Sequence, residues 1–176
     1  MTIRVGVHGA NGRMGAASCA AIDADPDLEL VAAVSRTGGE RDGVQVFTEP
    51  RAFADAGCDV VVDFTVAEAA RVTLPWLAMH GIHAVVGTTG LTTDDIESLR
   101  HTFCDGPAHC LIAPNFAVSA VLMMRFAELA APWLDTAEII EYHHERKVDA
   151  PSGTAAATAE RMAAARQGVA WAPDPT

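Results

Sequence analysis

Between Glu141 and Ala155 the chain reads E-Y-H-H-E-R-K-V-D-A-P-S-G-T-A, which sets two histidines, a lysine and a Pro-Ser-Gly-Thr turn ahead of an alanine-rich segment. An imidazole titrates near neutral pH and a lysine ammonium is a compact cation, so the group suits proton transfer beside an anionic ligand. Thr136 to Tyr142 (T-A-E-I-I-E-Y) predicts a strand with Ile139, Glu141 and His143 on one face, where the Glu141 carboxylate is available to orient the His143 imidazole. Lys147 follows within one short loop. Asp149 to Thr154 then turns the chain into a helix predicted to run to about Gln167. Its start carries Ser152 or Thr154 as N-cap, and Gly153 where a backbone must approach something closely. Free N–H groups there, together with the ammonium, make an anion site suited to a carboxylate. Solvated histidines at a strand end before a generic helix start fit the same residues, and spacing alone leaves both readings open.

The upstream chain supplies the scaffold. Thr2 to His8 is a short apolar strand, and Gly9-Ala10-Asn11-Gly12-Arg13-Met14-Gly15 follows at once, before a helix over Ala16 to Asp25 that Pro26 stops. Glycines between a strand and a helix permit a tight turn and close approach of a pyrophosphate to the helix N-terminus. Leu28 to Val34 is the second strand. It ends in Val34-Ser35-Arg36-Thr37 with no acid until Glu40, so Ser35 and Arg36 suit a 2′-phosphate, although Arg36 fits a solvated loop equally well. A glycine-rich loop over Thr37 to Gly43 and a short helix around Pro50 to Ala56 come next. Asp59 to Thr65 reads as a central parallel strand, and a helix over Val66 to His80 should kink or break at Pro75. Ile82 to Val86 is a strand leading into Gly87-Thr88-Thr89-Gly90, Thr92 to Phe103 a helix, and Ala108 to Ile112 a strand closed by Ala113-Pro114-Asn115-Phe116. The alternation predicts an α/β doubly wound parallel sheet of Rossmann type, with ligand beyond the strand C-termini, where all four loops fall. Ala117 to Ala131 is a helix whose stripe of Val118, Val121, Leu122, Phe126 and Leu129 should be core.

Composition bounds the partners. A net charge of −11 over 176 residues disfavours nucleic acid and anionic membrane, which need a basic face, but leaves room for a small anion held locally. Cys19, Cys58, Cys104 and Cys110 form no C-x-x-C pair and read as buried reduced thiols rather than metal ligands, so no metal is expected. Without a secretory signal or a bilayer-spanning apolar run, the expectation is a soluble cytoplasmic protein.

The strings G-A-N-G-R-M-G, V-V-D-F-T, G-I-H-A-V-V-G-T-T-G, A-P-N-F and H-H-x-x-K-x-D-A-P-S-G-T-A occur in the order and spacing of the 4-hydroxy-tetrahydrodipicolinate reductase (dihydrodipicolinate reductase) family, and the chain resembles that family throughout. The resemblance implies an NAD(P)H-dependent oxidoreductase of lysine and diaminopimelate biosynthesis acting on a small dicarboxylate. NADPH is the expected cofactor, with NADH possible. It implies a dinucleotide-binding domain over 1–116 and part of an α+β substrate domain over 117–176. Gly9, Ala10, Asn11, Gly12, Arg13 and Met14 would hold the pyrophosphate region, and Ser35 and Arg36 the adenosine ribose. Gly87, Thr88, Thr89, Ala113, Pro114, Asn115 and Phe116 would flank the nicotinamide. His143 and Lys147 match the catalytic pair, and the residues do not decide which of them is the immediate proton donor. His144, Ser152, Gly153 and Thr154 match the substrate-contacting turn. Ser119 departs from a glycine frequent in relatives. Family members also continue past residue 176, which implies a C-terminally shortened chain, and a homotetramer is expected only of the complete protein. A non-catalytic NADP(H)-binding module is the alternative reading.

Overall fold

The computed structural model describes residues 2–41, 43–113, 115–143, 145 and 150–173. These divide into two compact units, Met1–Ala113 and Pro114–Thr176.

The first unit alternates strand and helix as the apolar runs require. Its elements are β1 (Ile3–His8), α1 (Arg13–Ala24), β2 (Leu28–Val34), β3 (Gly39–Arg41), β4 (Val44–Phe47), α2 (Arg51–Asp55), β5 (Val60–Asp63), α3 (Ala67–Met79), β6 (His83–Val86), α4 (Thr93–Cys104) and β7 (Cys110–Ile112). The strands form one sheet ordered β3-β4-β2-β1-β5-β6-β7. All neighbours are parallel except β3 and β4, an antiparallel hairpin at the edge. The sheet is therefore doubly wound with one antiparallel edge strand, and the segment expected to be a glycine-rich loop supplies it. Gly39 and Gly43 both sit at positive φ, +116° and +81°, the backbone freedom that a short hairpin draws on.

Two apolar clusters hold the sheet. Phe53, Val61, Ala70, Leu74, Leu77, Val86, Leu99 and Phe103 pack in one, and Val5, Val7, Ala10, Ile22, Ala33 and Val46 in the other. Helix α3 continues through Pro75 without a break. Helix α4 starts on a reciprocal cap, Thr92 Oγ1 accepting from Asp95 N while the Asp95 carboxylate accepts from Thr92 N at 2.7 Å.

In the second unit α5 (Val118–Ala130) runs into a 3₁₀ turn (Ala131–Trp133), and α6 (Gly153–Ala165) follows. The stripe expected to be core is exposed by between 43% and 72%, and Met124, given no role by its spacing, is the buried residue of α5. Periodicity marks an apolar face but not what covers it; α5 rests on α6 and the 3₁₀ turn, and neither covers the stripe. The expected strand over 136–142 is also not formed, because none of its residues pairs with another described strand. Arg166 ties the unit's end together: its guanidinium donates to the carbonyls of Ala131, Leu134, Val169 and Ala170 and lies 4.0 Å from the Trp171 ring centre.

Burial pushes the Cys58 and Cys110 thiols up to about 11, which keeps them as unreactive thiols near neutral pH. The expectation of burial fails for Cys104, which is exposed, while Cys19 and Cys110 are half-buried. No helix among the described residues is long and apolar enough to cross a membrane.

Candidate active site

The loop after β1 is shaped by its glycines. Gly9 takes φ +87° and, with Ala10, donates to the Val34 carbonyl at 2.8 and 3.2 Å, while Gly12 N closes the turn on the Gly9 carbonyl at 2.8 Å. A Cβ added at Gly15 would strike that same carbonyl, so the helix can approach the loop only with glycine there. Gly12 is the N-cap of α1, provides no capping side chain, and no acid stands in the first turn. The N–H end of α1 is thus left for an anion from elsewhere. Asn11 Nδ2 donates to Thr37 Oγ1 at 3.1 Å and joins this loop to the one after β2.

A cavity of about 700 Å³ opens here, lined among others by His8, Gly9, Asn11, Gly12, Ser35 and Arg36. The structure therefore gathers Gly9, Asn11, Gly12, Ser35 and Arg36 as the sequence places them. Ala10 is buried beneath the loop, and Arg13 and Met14 are exposed on the first turn of α1 and do not line the cavity.

At the C-terminal ends of β1, β5 and β6 lies a polar network that sequence reasoning missed. Asp63 is fully buried. Its Oδ2 accepts from His8 Nδ1 at 2.8 Å, and its Oδ1 accepts from Thr65 N at 3.0 Å, Thr65 Oγ1 at 2.8 Å and Thr88 Oγ1 at 2.6 Å. Burial by itself would raise the Asp63 carboxyl, but the His8 hydrogen bond and charge, with the Thr88 and Thr65 hydrogen bonds, outweigh it and hold the group below its ordinary range. Thr88 is buried with its hydroxyl engaged there, whereas Thr89 is exposed and Gly87 half-buried. The available signal was a polar residue ending each of two apolar strands, and β1 and β5 pair His8 with Asp63 in register.

The second unit holds a cavity of about 680 Å³ lined by Asn115, Glu141, His143, Ser152 and Thr154 together with apolar residues of α5 and α6. Ser152 is the N-cap, its Oγ accepting from Ala155 N at 3.1 Å. Glu141 accepts from Ser152 N at 2.8 Å and from Ser152 Oγ, and His143 Nδ1 stands 3.7 Å from the same carboxylate. The expected Glu141–His143 neighbourhood is present without the strand, because Glu141 is held by the helix start instead. Asn115 Nδ2 donates to Thr154 Oγ1 at 3.3 Å. Among the described residues, the N–H groups of Gly153 and Thr154 meet no acceptor. Ala113 donates to the Val86 carbonyl at 3.0 Å, and Phe116 is exposed. Pro114, His144 and Lys147 lie outside the described residues.

Two family models match the chain: dihydrodipicolinate reductase, N-terminus, over residues 3–116, and dihydrodipicolinate reductase, C-terminus, over residues 119–173. Proteins named 4-hydroxy-tetrahydrodipicolinate reductase from Nocardia farcinica and Cutibacterium acnes are 50% and 49% identical over 179 and 177 residues. The matches cover 100% and 99% of this chain but 68% and 67% of those proteins, so the chain spans about two thirds of their length. A solved structure described as dipicolinate-bound dihydrodipicolinate reductase from Paenisporosarcina sp. TG-14 superposes with TM-score 0.80 at 30% identity, covering 100% of this chain and 71% of that one. GenD2 from gentamicin A biosynthesis in complex with NAD superposes with TM-score 0.60 at 25% identity, covering 72% of this chain and 39% of that one.

Proposed function

The chain belongs to the dihydrodipicolinate reductase family, and on that premise we propose that it reduces 4-hydroxy-tetrahydrodipicolinate to tetrahydrodipicolinate with a nicotinamide dinucleotide. The observation that carries this reading to the residues is the second-unit cavity, where Glu141, His143 and Thr154 stand beside the open N–H groups of a helix start.

The first unit fits a dinucleotide, since the Gly9–Gly15 cradle admits no Cβ at Gly15 and leaves the helix end uncapped. The dinucleotide, when bound, supplies the hydride. Gly9 to Met14 would face its pyrophosphate, Ser35 and Arg36 the adenosine ribose, and Gly87 to Thr89 with Ala113 to Phe116 the nicotinamide. Because a hydroxyl and a guanidinium replace the usual ribose-binding acid, the preferred form is NADPH. This assigns residues 1–116 to the dinucleotide and 117–176 to substrate and proton transfer.

In the second unit Gly153 and Thr154 N–H bind one substrate carboxylate, with His144, Ser152 and Lys147 around it. Glu141 keeps Nδ1 of His143 turned inward, so Nε2 is the nitrogen presented for proton delivery. His143 or Lys147 gives the proton that accompanies the hydride. The test follows NADPH oxidation with freshly generated substrate and measures dinucleotide binding separately by fluorescence. His143→Ala should lower kcat by roughly 10²–10⁴ with dinucleotide affinity unchanged. A wild-type chain that binds NADPH and never turns substrate over would instead be a dinucleotide-binding module.

A further inference from the structure

The His8–Asp63 pair is an addition that the dinucleotide cradle does not explain. A strand end buried against Phe53, at 6.0 Å between ring centres, is a place for an apolar side chain, yet a histidine and a carboxylate stand there in register. Asp63 uses one oxygen on His8 and the other on Thr65 and Thr88. Because a carboxylate only accepts, Nδ1 of His8 carries a proton, and Nε2 is the ring atom left for a ligand. Among the described residues no buried side-chain nitrogen or oxygen lacks a partner. Nε2 has no hydrogen-bond partner among the described residues, so it is the atom through which the ring, 7% exposed overall, reaches the surface. His8 lines the cavity shared by Gly9, Gly12, Ser35 and Arg36.

We propose that His8 is a dinucleotide-binding residue, its Nε2 hydrogen-bonded to a ribose hydroxyl in the adenosine half, and that Asp63 is the positioning residue that fixes the orientation of the ring. The inference rests on the dinucleotide reading given above and adds a contact to it. The cavity's assignment to the adenosine half follows from Ser35 and Arg36 on its wall. A ribose hydroxyl both donates and accepts, so it meets an imidazole nitrogen whichever partner carries the proton. Through Asp63 the same contact is linked to Thr65 and Thr88, so the loops after β1, β5 and β6 share one carboxylate.

Two substitutions separate the two ring nitrogens. The amide nitrogen of His8→Asn stands where Nδ1 stood and keeps the bond to Asp63 while nothing reaches the cavity. The amide nitrogen of His8→Gln stands near Nε2 and gives up Asp63. Equilibrium titration with NADPH, NADH and reduced nicotinamide mononucleotide, followed by fluorescence, reads the result. His8→Asn should melt close to wild type and bind both dinucleotides roughly three- to tenfold more weakly, the loss of one hydrogen bond, with mononucleotide affinity unchanged. His8→Gln should melt lower, having left Asp63 with one donor fewer. Equal dinucleotide affinity in wild type and His8→Asn overturns the contact, and an equal loss on the mononucleotide overturns the adenosine assignment. Should His8→Asn not fold, unchanged dinucleotide affinity in a folded His8→Phe chain overturns the contact as well. Failure of the wild-type chain to bind any dinucleotide overturns this proposal together with the reading beneath it, an outcome distinct from those specific to His8.

Discussion

Asp63→Asn tests the network where its energetics are sharpest. The carboxylate accepts four hydrogen bonds at zero exposure. In the variant the amide oxygen still meets Thr65 and Thr88, but the amide nitrogen meets His8 Nδ1, so the imidazole must move its proton to Nε2. Hydrogen bonds to a charged group contribute about 1.5–3 kcal/mol each against roughly 0.5–1.5 for neutral ones. Losing the charge across the four bonds should therefore cost about 4–6 kcal/mol, which the smaller cost of burying a neutral amide offsets by roughly half, leaving about 2–3 kcal/mol. At a usual slope of about 1–3 kcal/mol per molar urea, the unfolding midpoint should fall by roughly 1 M or more. The pH dependence gives the sign. The folded-state carboxyl titrates below its ordinary 3.8, so its stabilisation is fully present above about pH 3.8 and is lost as pH falls through the folded-state value. Urea midpoints by circular dichroism at pH 7, 5 and 3 should show a constant wild-type advantage at the first two and a smaller one at the third. Repeating the pair in a His8→Asn background removes the imidazole from the network. An advantage that disappears between pH 7 and 5 would mean that burial, and not hydrogen bonding, governs Asp63, and would refute the reasoning.

Two more outcomes follow from the cavities. Arg36→Ala should weaken NADPH by roughly three- to tenfold at low salt with NADH little changed, and the difference should shrink as salt screens an exposed guanidinium; a clear wild-type preference for NADH would remove the NADPH assignment. Glu141→Gln keeps an acceptor for Ser152 N but removes the charge facing the α6 N-terminus, which should cost about 0.5–1 kcal/mol, visible as faster hydrogen exchange in α6, and should lower kcat more than dinucleotide affinity. Unchanged kcat would show that His143 does not depend on Glu141.

What the sequence makes legible is what residue type alone dictates. The loop after β1 is readable because each glycine has a steric cause: Gly9 at positive φ, and Gly15 against the Gly9 carbonyl. The α6 cap is readable only to within two hydroxyls, Ser152 or Thr154, and the structure selects Ser152. The His8–Asp63 pair is not, since its members stand 55 positions apart and meet only through the register of β1 on β5. The stripe on α5 misleads for a related reason. Its spacing reports an apolar face, but burial depends on a second surface that no local pattern describes. Hairpin β3–β4 is not legible because strands of three and four residues carry too few alternations to stand out from a glycine-rich loop.

The site chemistry draws on both kinds of information. Sequence pattern places an anion at the start of α6, and the structure shows that Glu141 already takes the Ser152 N–H there. A ligand carboxylate is left with Gly153 and Thr154 N–H, next to an ionised side chain, in a chain of net charge −11. Two like charges about 6 Å apart repel by roughly 3 kcal/mol at an effective dielectric of about 20. Two backbone N–H groups offset part of that, and a partial helix charge a little more. A dicarboxylate therefore requires a full cation in the same cavity, which is the role proposed for Lys147. Glu141 in turn stands 3.7 Å from Nδ1 of the His143 imidazole. The carboxylate that makes a substrate anion costly is thus also the neighbour of the imidazole proposed to deliver the proton, and a cation in the role proposed for Lys147 would reconcile the two demands.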